Sequence, residues 1–312
     1  MLTVRHAALM RVGFFSATCA VLASMPAQAQ SRGVYPLGMS ATTSGVTSDA
    51  GFTYSNQLLF YSRDTSKDGT GATVATGANA VLMDMNSFVW VSERQILGGA
   101  RYSATATLPV ARNELTSDIH GAVSGGSGFA DSYYLPVILG WNKDRSAFRV
   151  LYGFLAPTGR FAPDSSDNVG SGYWTSTISS GQTVYLTDDK QLNVSVFEMY
   201  EFHTTQAGTG TRPGDTFNVD YSVMRTFQVS NQPWRLHVGL AGYEQRQTTS
   251  RTGPLVPPEE SPDRYAVNAV GFASNATFPE LKLSLGVKLF KEFANRSTFQ
   301  GFSLQFSGAI GF

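Results

Sequence analysis

The residues that could make or break bonds are few. Hydrolysis of the lipase kind needs a serine beside a histidine, with a third group orienting the ring. The chain has four histidines. His6 lies in the charged N-terminal start. His120 falls in a Gly/Ser-rich stretch, His203 at the end of a strand-like segment, and His237 in the middle of another. Ser195 is near His203 in sequence, yet eight residues of extended chain span about 26 Å. Asp188 and Asp189 are adjacent in a short turn without a histidine, which is not the paired-aspartate plan of a barrel protease. No HExxH, CxxC or phosphate-loop pattern occurs, so no metal, phosphate or other cofactor site is expected. The expected catalytic set is therefore empty. A second set could act on solutes without bond chemistry. Arg101, Arg149, Asp220, Arg235, His237, Lys282 and Lys288 each sit inside strand-like segments, on the side opposite the apolar residues. Such a set could line a polar path that favours anionic solutes. It could equally pack a closed interior by pairing with Glu198, Asp220 or Glu292.

The elements that must carry these residues alternate with period two, as strand side chains do. The closing stretch, Thr298 to Phe312, puts Phe302, Leu304, Phe306, Ile310 and Phe312 on one face. Ser303, Gln305, Ser307, Ala309 and Gly311 take the other. About twelve segments of this kind follow one another from residue 50 to 312. Clear cases are Ala100 to Arg112, Asp215 to Val229, Trp234 to Thr248 and Leu281 to Phe293. Phe129 to Asn142 groups Tyr133, Leu135, Val137, Leu139 and Trp141 on one parity. Phe197, Met199, Ile138 and Phe290 fall on the inner parity, where they suit a greasy patch or a plug contact. Short connections alternate with long ones, the long ones being Arg63 to Met83, Asn113 to Gly128, Pro157 to Ser171, Thr204 to Gly214 and Thr249 to Asp263. An even strand number with short turns at one end and long loops at the other is the plan of a bacterial outer-membrane barrel. An Arg or Lys facing lipid at midplane costs about 2–4 kcal/mol, which sends the charged set to the lumen. Trp90, Trp141, Trp174, Trp234, Tyr133, Tyr173, Tyr185 and Tyr243 are expected near the headgroup level.

Composition agrees. Basic and acidic residues number 23 each, which leaves no basic footprint for nucleic acid. Past the N-terminus no apolar run is long enough for a membrane helix. Arg5, His6 and Arg11, then the apolar Val12 to Ala23, then Ala27-Gln28-Ala29, read as a secretory signal peptide over 1–29. The single cysteine, Cys19, lies inside it, so no disulfide or thiol chemistry is expected beyond. Residues 30–49 are small and polar and read as an irregular lead-in segment that could enter the lumen. The barrel itself is expected over 50–312. Its closing strand with Phe312 resembles the signal read by the barrel-assembly machinery, which would be a partner together with outer-membrane lipid.

Four stretches carry a family resemblance. They are DSYYLPVILGWN (Asp131 to Asn142), FRVLYGFLAPTGRF (Phe148 to Phe161), NVGSGYWTSTISSGQTVYLTDDK (Asn168 to Lys190) and the closing GFSLQFSGAIGF. Together they resemble the family named for the meta-pathway of phenol degradation, over roughly Gly33 to Phe312. The resemblance implies an all-β transmembrane up-and-down barrel in the bacterial outer membrane. It further implies passive transport of small hydrophobic or aromatic compounds, with no enzyme activity and no cofactor. Two other readings stay open: a surface barrel that acts through its long loops without transport, and a barrel hydrolase.

Overall fold

The computed structural model describes residues 32–119, 121–228, 232–256, 258 and 263–312. The expected signal segment and His120 lie outside them. The strands are β1 Gly51–Lys67, β2 Thr73–Thr76, β3 Asn79–Ile96, β4 Ala100–Ser117, β5 Gly121–Phe129, β6 Ser132–Asn142 and β7 Ser146–Ala156. They continue as β8 Thr175–Tyr185, β9 Leu192–His203, β10 Thr216–Gln228, β11 Arg235–Gln247, β12 Ala266–Phe278, β13 Leu283–Glu292 and β14 Thr298–Gly311. Each pairs antiparallel with its neighbour, and β14 pairs with β1 from Thr53↔Gly311 to Lys67↔Thr298. The ring thus closes on itself, with only β2 and β5 paired on one side, and closure is the condition for strands to cross lipid. β2 is a short flap on β1. β5 and β6 lie end to end along one edge of β4, β5 against its far half and β6 against its near half. Counting these two as one gives the twelve-stranded ring.

Alternation decides what faces in. On β9, Asn193, Ser195, Phe197, Met199, Glu201 and His203 are buried, while the residues between them are not. β10 buries Thr216, Asn218, Asp220, Ser222 and Met224 in the same way. The outer face carries large apolar residues at high exposure, such as Phe88, Ile178, Leu240 and Phe272. Large apolar side chains exposed in such number mark a surface suited to a membrane setting. Polar groups inside and apolar groups outside invert the pattern of a water-soluble core.

Three features depart from expectation. First, the strands run further than the membrane requires. β1, β3, β4 and β5 extend through most of what reads as the long connections Arg63 to Met83 and Asn113 to Gly128. Ser, Thr and Gly in those stretches are polar on both faces, so they lose the amphipathic alternation while still extending and pairing. Second, β6 changes parity. The β6–β7 register shifts between Tyr134 and Val137, around Pro136, which has no N–H to give to a ladder. Tyr133 and Leu135 therefore pack into the interior cluster, whereas Val137 stays exposed outside. Third, Pro279–Leu281 form a 3-10 turn, and Lys282 caps it in the left-handed region at φ 47°. Lys282 is thus in a turn, not in the wall. Of the aromatics expected at the headgroup level, Tyr173 is buried against His203 and Tyr243 is buried in the interior cluster on which Tyr133 packs.

The turn between β8 and β9 is tied at Asp189. The Thr187 hydroxyl and the Gln191 N–H hold its carboxyl below the usual carboxylate range. A depressed folded pKa gives stability that is present at neutral pH and is lost as pH falls through that folded value. Acidification should therefore loosen this turn, seen as faster amide exchange at Gln191 while strand amides of β8 stay protected.

Candidate functional site

Residues 32–47 form no strand. They thread the barrel interior and are bonded to its wall along their length. The inward carboxylates of Glu292, Glu201 and Asp220 hold successive parts. Arg32 donates to Glu292 from Nη1 at 2.7 Å and from Nη2 at 3.1 Å. The Val34 and Tyr35 N–H groups donate to Glu201 at 3.0 and 2.8 Å. Asp220 accepts the Tyr35 hydroxyl at 2.6 Å and the N–H groups of Gly38 and Ser40 at 2.9 and 3.0 Å. Lys288 Nζ then donates to the carbonyls of Gly38 at 2.9 Å and Met39 at 2.6 Å. Gln305 donates to the Leu37 carbonyl at 2.8 Å, and the Gly45 N–H donates to Thr183 Oγ1 at 3.0 Å. The segment ends on Asn142, which bonds both the N–H and the carbonyl of Thr47. A buried backbone must find partners for its polar groups, and here the strands supply them.

These anchors come mostly from β8 to β14. The segment therefore leans on that side and leaves space along β3, β4, β6 and β7. Three cavities occupy it in series. At the loop end, a cavity of about 150 Å³ is lined by Arg32, Arg63, Asn79, Asn113 and Phe299, among others. In the middle, one of about 70 Å³ is lined by Tyr35, Met39, Met83, Met85, Tyr133 and Met199. At the turn end, one of about 250 Å³ is lined by Val91, Ile138, Arg149, Leu151 and Phe197, among others. The middle cavity shares Tyr35 and Met83 with the outer one, and Tyr35, Met39, Tyr133 and Met199 with the inner one. The middle cavity, the smallest of the three, is a collar rich in methionine, with Asp131 and Glu201 also in its lining; the flexible thioethers adapt to varied shapes.

The charged set read from sequence is scattered through this arrangement. Asp220 and Lys288 meet on the same turn of the threaded segment. Arg149 lines the turn-end cavity. Arg101 pairs with Asp49 at 3.5 Å near the rim. Arg235 is exposed at the start of β11, and His237 accepts or donates a 2.8 Å bond with Thr226. Lys282 stays in its turn. Glu201, Arg32, Tyr35 and the collar methionines other than Met199 were not singled out by type or spacing; Met199, placed on the inner parity, lines the collar. Glu201 has the same parity as Ser195, Phe197 and Met199 on β9, a signal that points it inward.

One arrangement has the parts of a hydrolytic triad. His203 Nδ1 lies 2.8 Å from Thr175 Oγ1, and His203 Nε2 lies 3.5 Å from Glu201. Thr175 is fully buried, and Glu201 is already bonded to the threaded segment, to Thr216 and to Asn218. No substrate can reach that hydroxyl as folded. The three groups act as a polar brace.

Residues 62–307 match the family model described as "Putative MetA-pathway of phenol degradation". The chain belongs to that family. No curated protein sequence matches it. Among solved structures, the chain resembles an outer-membrane channel from Pseudomonas putida F1, at 15% identity and a TM-score of 0.70. That likeness covers 86% of this chain and 98% of the channel. A weaker likeness, at 10% identity and a TM-score of 0.49, is to the β domain of the Bordetella autotransporter Brka, covering 85% of this chain and all (100%) of that one. The first shares the closed barrel. Membership of the family agrees with the resemblance carried by Asp131 to Asn142 and the other quoted stretches.

Proposed function

We propose that the protein is a passive outer-membrane channel for small hydrophobic or aromatic molecules. The observation that carries this is the series of three cavities beside the threaded segment, joined through a collar rich in methionine. A wide polar pore would admit any small solute. The cavities here are small, and the middle one offers mainly thioethers and rings, beside the carboxylates of Asp131 and Glu201. The apolar outer belt supports the membrane location, and the family and the Pseudomonas putida F1 likeness support the channel reading. The charged wall residues serve mainly to hold the threaded segment, which keeps the lumen from becoming a water-filled pore. Among the described residues, the Thr175–His203–Glu201 set is buried, which favours passage over hydrolysis.

Uptake of a radiolabelled monoaromatic by a Gram-negative host lacking its own general channels tests this. Cells expressing the chain should take up the solute several-fold faster than cells with empty vector. Met83→Trp puts an indole into the collar and should return uptake to the vector level. Val270→Trp, on the outer face, should leave it unchanged. Equal uptake with and without the wild-type chain would overturn the proposal.

A further inference from the structure

The turn-end cavity holds a cation that no ion pair among the described residues neutralises. Arg149 lies on β7 between Gly140 of β6 and Gly181 of β8, its cross-strand partners. The glycines leave room over the wall. A Cβ at Gly181 would come within 3.3 Å of Arg149 Nε and 2.1 Å of the Ser44 carbonyl oxygen, and one at Gly140 would strike Thr47. The guanidinium is thus framed by two bare backbones and roofed by residues 44–47. Its Nε is buried without a hydrogen-bond partner, and among the described residues Arg149 joins no ion pair. Arg101, on the neighbouring wall, has Asp49, and Arg32 has Glu292. A buried cation left alone is costly, and a stable protein keeps one where a ligand or partner meets it.

Two hydroxyls in the lining of the same cavity are unmet as folded, Thr47 Oγ1 lying against the Gly140 backbone. Thr47 Oγ1 and Ser179 Oγ are buried without partners, and both residues line it with Arg149. A guanidinium with two hydroxyls is a donor set for an acceptor-only group, and an ionised carboxylate fits it in charge and geometry. The rest of the lining is apolar: Val89, Val91, Leu135, Ile138, Leu151 and Phe197 among it. From this geometry we infer that the turn-end cavity binds small aromatic monocarboxylates. The carboxylate sits on Arg149, Ser179 and Thr47, and the ring lies against the apolar wall. This deepens the channel reading and rests on it for the route of access. The site lies past the collar, so a solute reaches it after its ring has been selected. The channel thereby holds acids as well as neutral aromatics, and releases them at the turn end.

Calorimetry on the purified full chain in detergent tests the site directly. Benzoate should bind, benzamide should bind at least several-fold more weakly, and acetate should be weaker still. Arg149→Met should lower benzoate affinity about tenfold or more, the loss expected for a charge-assisted contact, with benzamide unchanged. Arg149→Lys should keep part of the benzoate preference. Heat-dependent gel migration shows that each variant is folded. Should Arg149→Met fail to fold, Ser179→Ala takes its place and should weaken benzoate alone. Benzamide equal to benzoate on the wild type overturns the inference, as does no binding of benzoate. Acetate equal to benzoate shows a general anion site and overturns the aromatic assignment. Uptake of the neutral monoaromatic is read separately. If it fails while benzoate binding holds, the channel reading falls and the site stands.

Discussion

Replacing Glu201 and Asp220 together by alanine should free the threaded segment and raise single-channel conductance several-fold. Between them these carboxylates hold the N–H groups of Val34, Tyr35, Gly38 and Ser40 and the Tyr35 hydroxyl. Both side chains are fully buried. A hydrogen bond to a charged group contributes about 1.5–3 kcal/mol, and several are lost at once. What remains is the Arg32 pair and the Gly33 N–H to Tyr265 at one end, the Thr47 contacts and the Gly45 N–H to Thr183 at the other, and the bonds of Lys288 and Gln305 to the Gly38, Met39 and Leu37 carbonyls between them. Those middle bonds hold carbonyls, so the orphaned N–H groups still have to reach water. Twelve strands enclose more room than side chains alone can fill, so the cleared side of the lumen should hydrate. Each single variant should show a smaller and noisier increase. Glu244→Ala, on the outer face beside Arg246, should change nothing. Planar-bilayer recording on the refolded double variant decides the matter. An unchanged conductance in a folded double variant would mean that the wall, and not the segment, sets the constriction.

The segment itself shows why part of the site is not legible in the sequence. Strand parity is a local property, so β9, β10 and β13 can be read from alternation, with Asp220 and Lys288 placed inward. Residues 32–47 have no period. Apart from Tyr61, 24 positions from Leu37, their wall partners lie 95 or more residues away: Glu201 is 166 positions from Tyr35, and Gln305 is 268 from Leu37. Nothing in Gly, Ser or Thr content says which carboxylate a backbone N–H will meet. Pro136 marks a second limit. A proline in a strand signals a possible bulge, but the direction of the flip depends on the β4 and β7 registers that frame it. That flip puts Tyr133 and Leu135 into the cavity lining. The collar methionines are the third case. Met83, Met85 and Met199 have inward parity, but a wall methionine is core or collar according to whether the threaded segment covers it.

Glu292→Ala should cost more stability than any other single replacement in the barrel interior. Its carboxylate is fully buried and takes both Nη groups of Arg32, the Tyr243 hydroxyl at 3.2 Å, Asn295 Nδ2 at 3.0 Å and the Gly301 N–H at 3.1 Å. Arg63 approaches it at 3.6 Å and lies over the Tyr61 ring at 4.2 Å. Two cations therefore share one anion, which also ties β11, β13, β14 and the threaded segment. Removing the anion leaves both guanidinium groups facing each other in the interior. Breaking a buried pair from one side costs about 3–5 kcal/mol, because the remaining charge is uncompensated. The Arg160–Asp167 pair is a useful contrast. Both its side chains are about half exposed, at 53% and 50%, and its loss should cost about 0–1 kcal/mol. Urea unfolding in detergent, followed by heat-dependent migration, should show a large midpoint shift for Glu292→Ala and almost none for Asp167→Ala. The cause can be separated from the loss of packing. If the penalty belongs to the stranded cations, adding Arg32→Met and Arg63→Met to Glu292→Ala should recover most of it. If the triple variant is no more stable than Glu292→Ala alone, the carboxylate acts through its bonds to Tyr243, Asn295 and Gly301, and the charge balance is incidental.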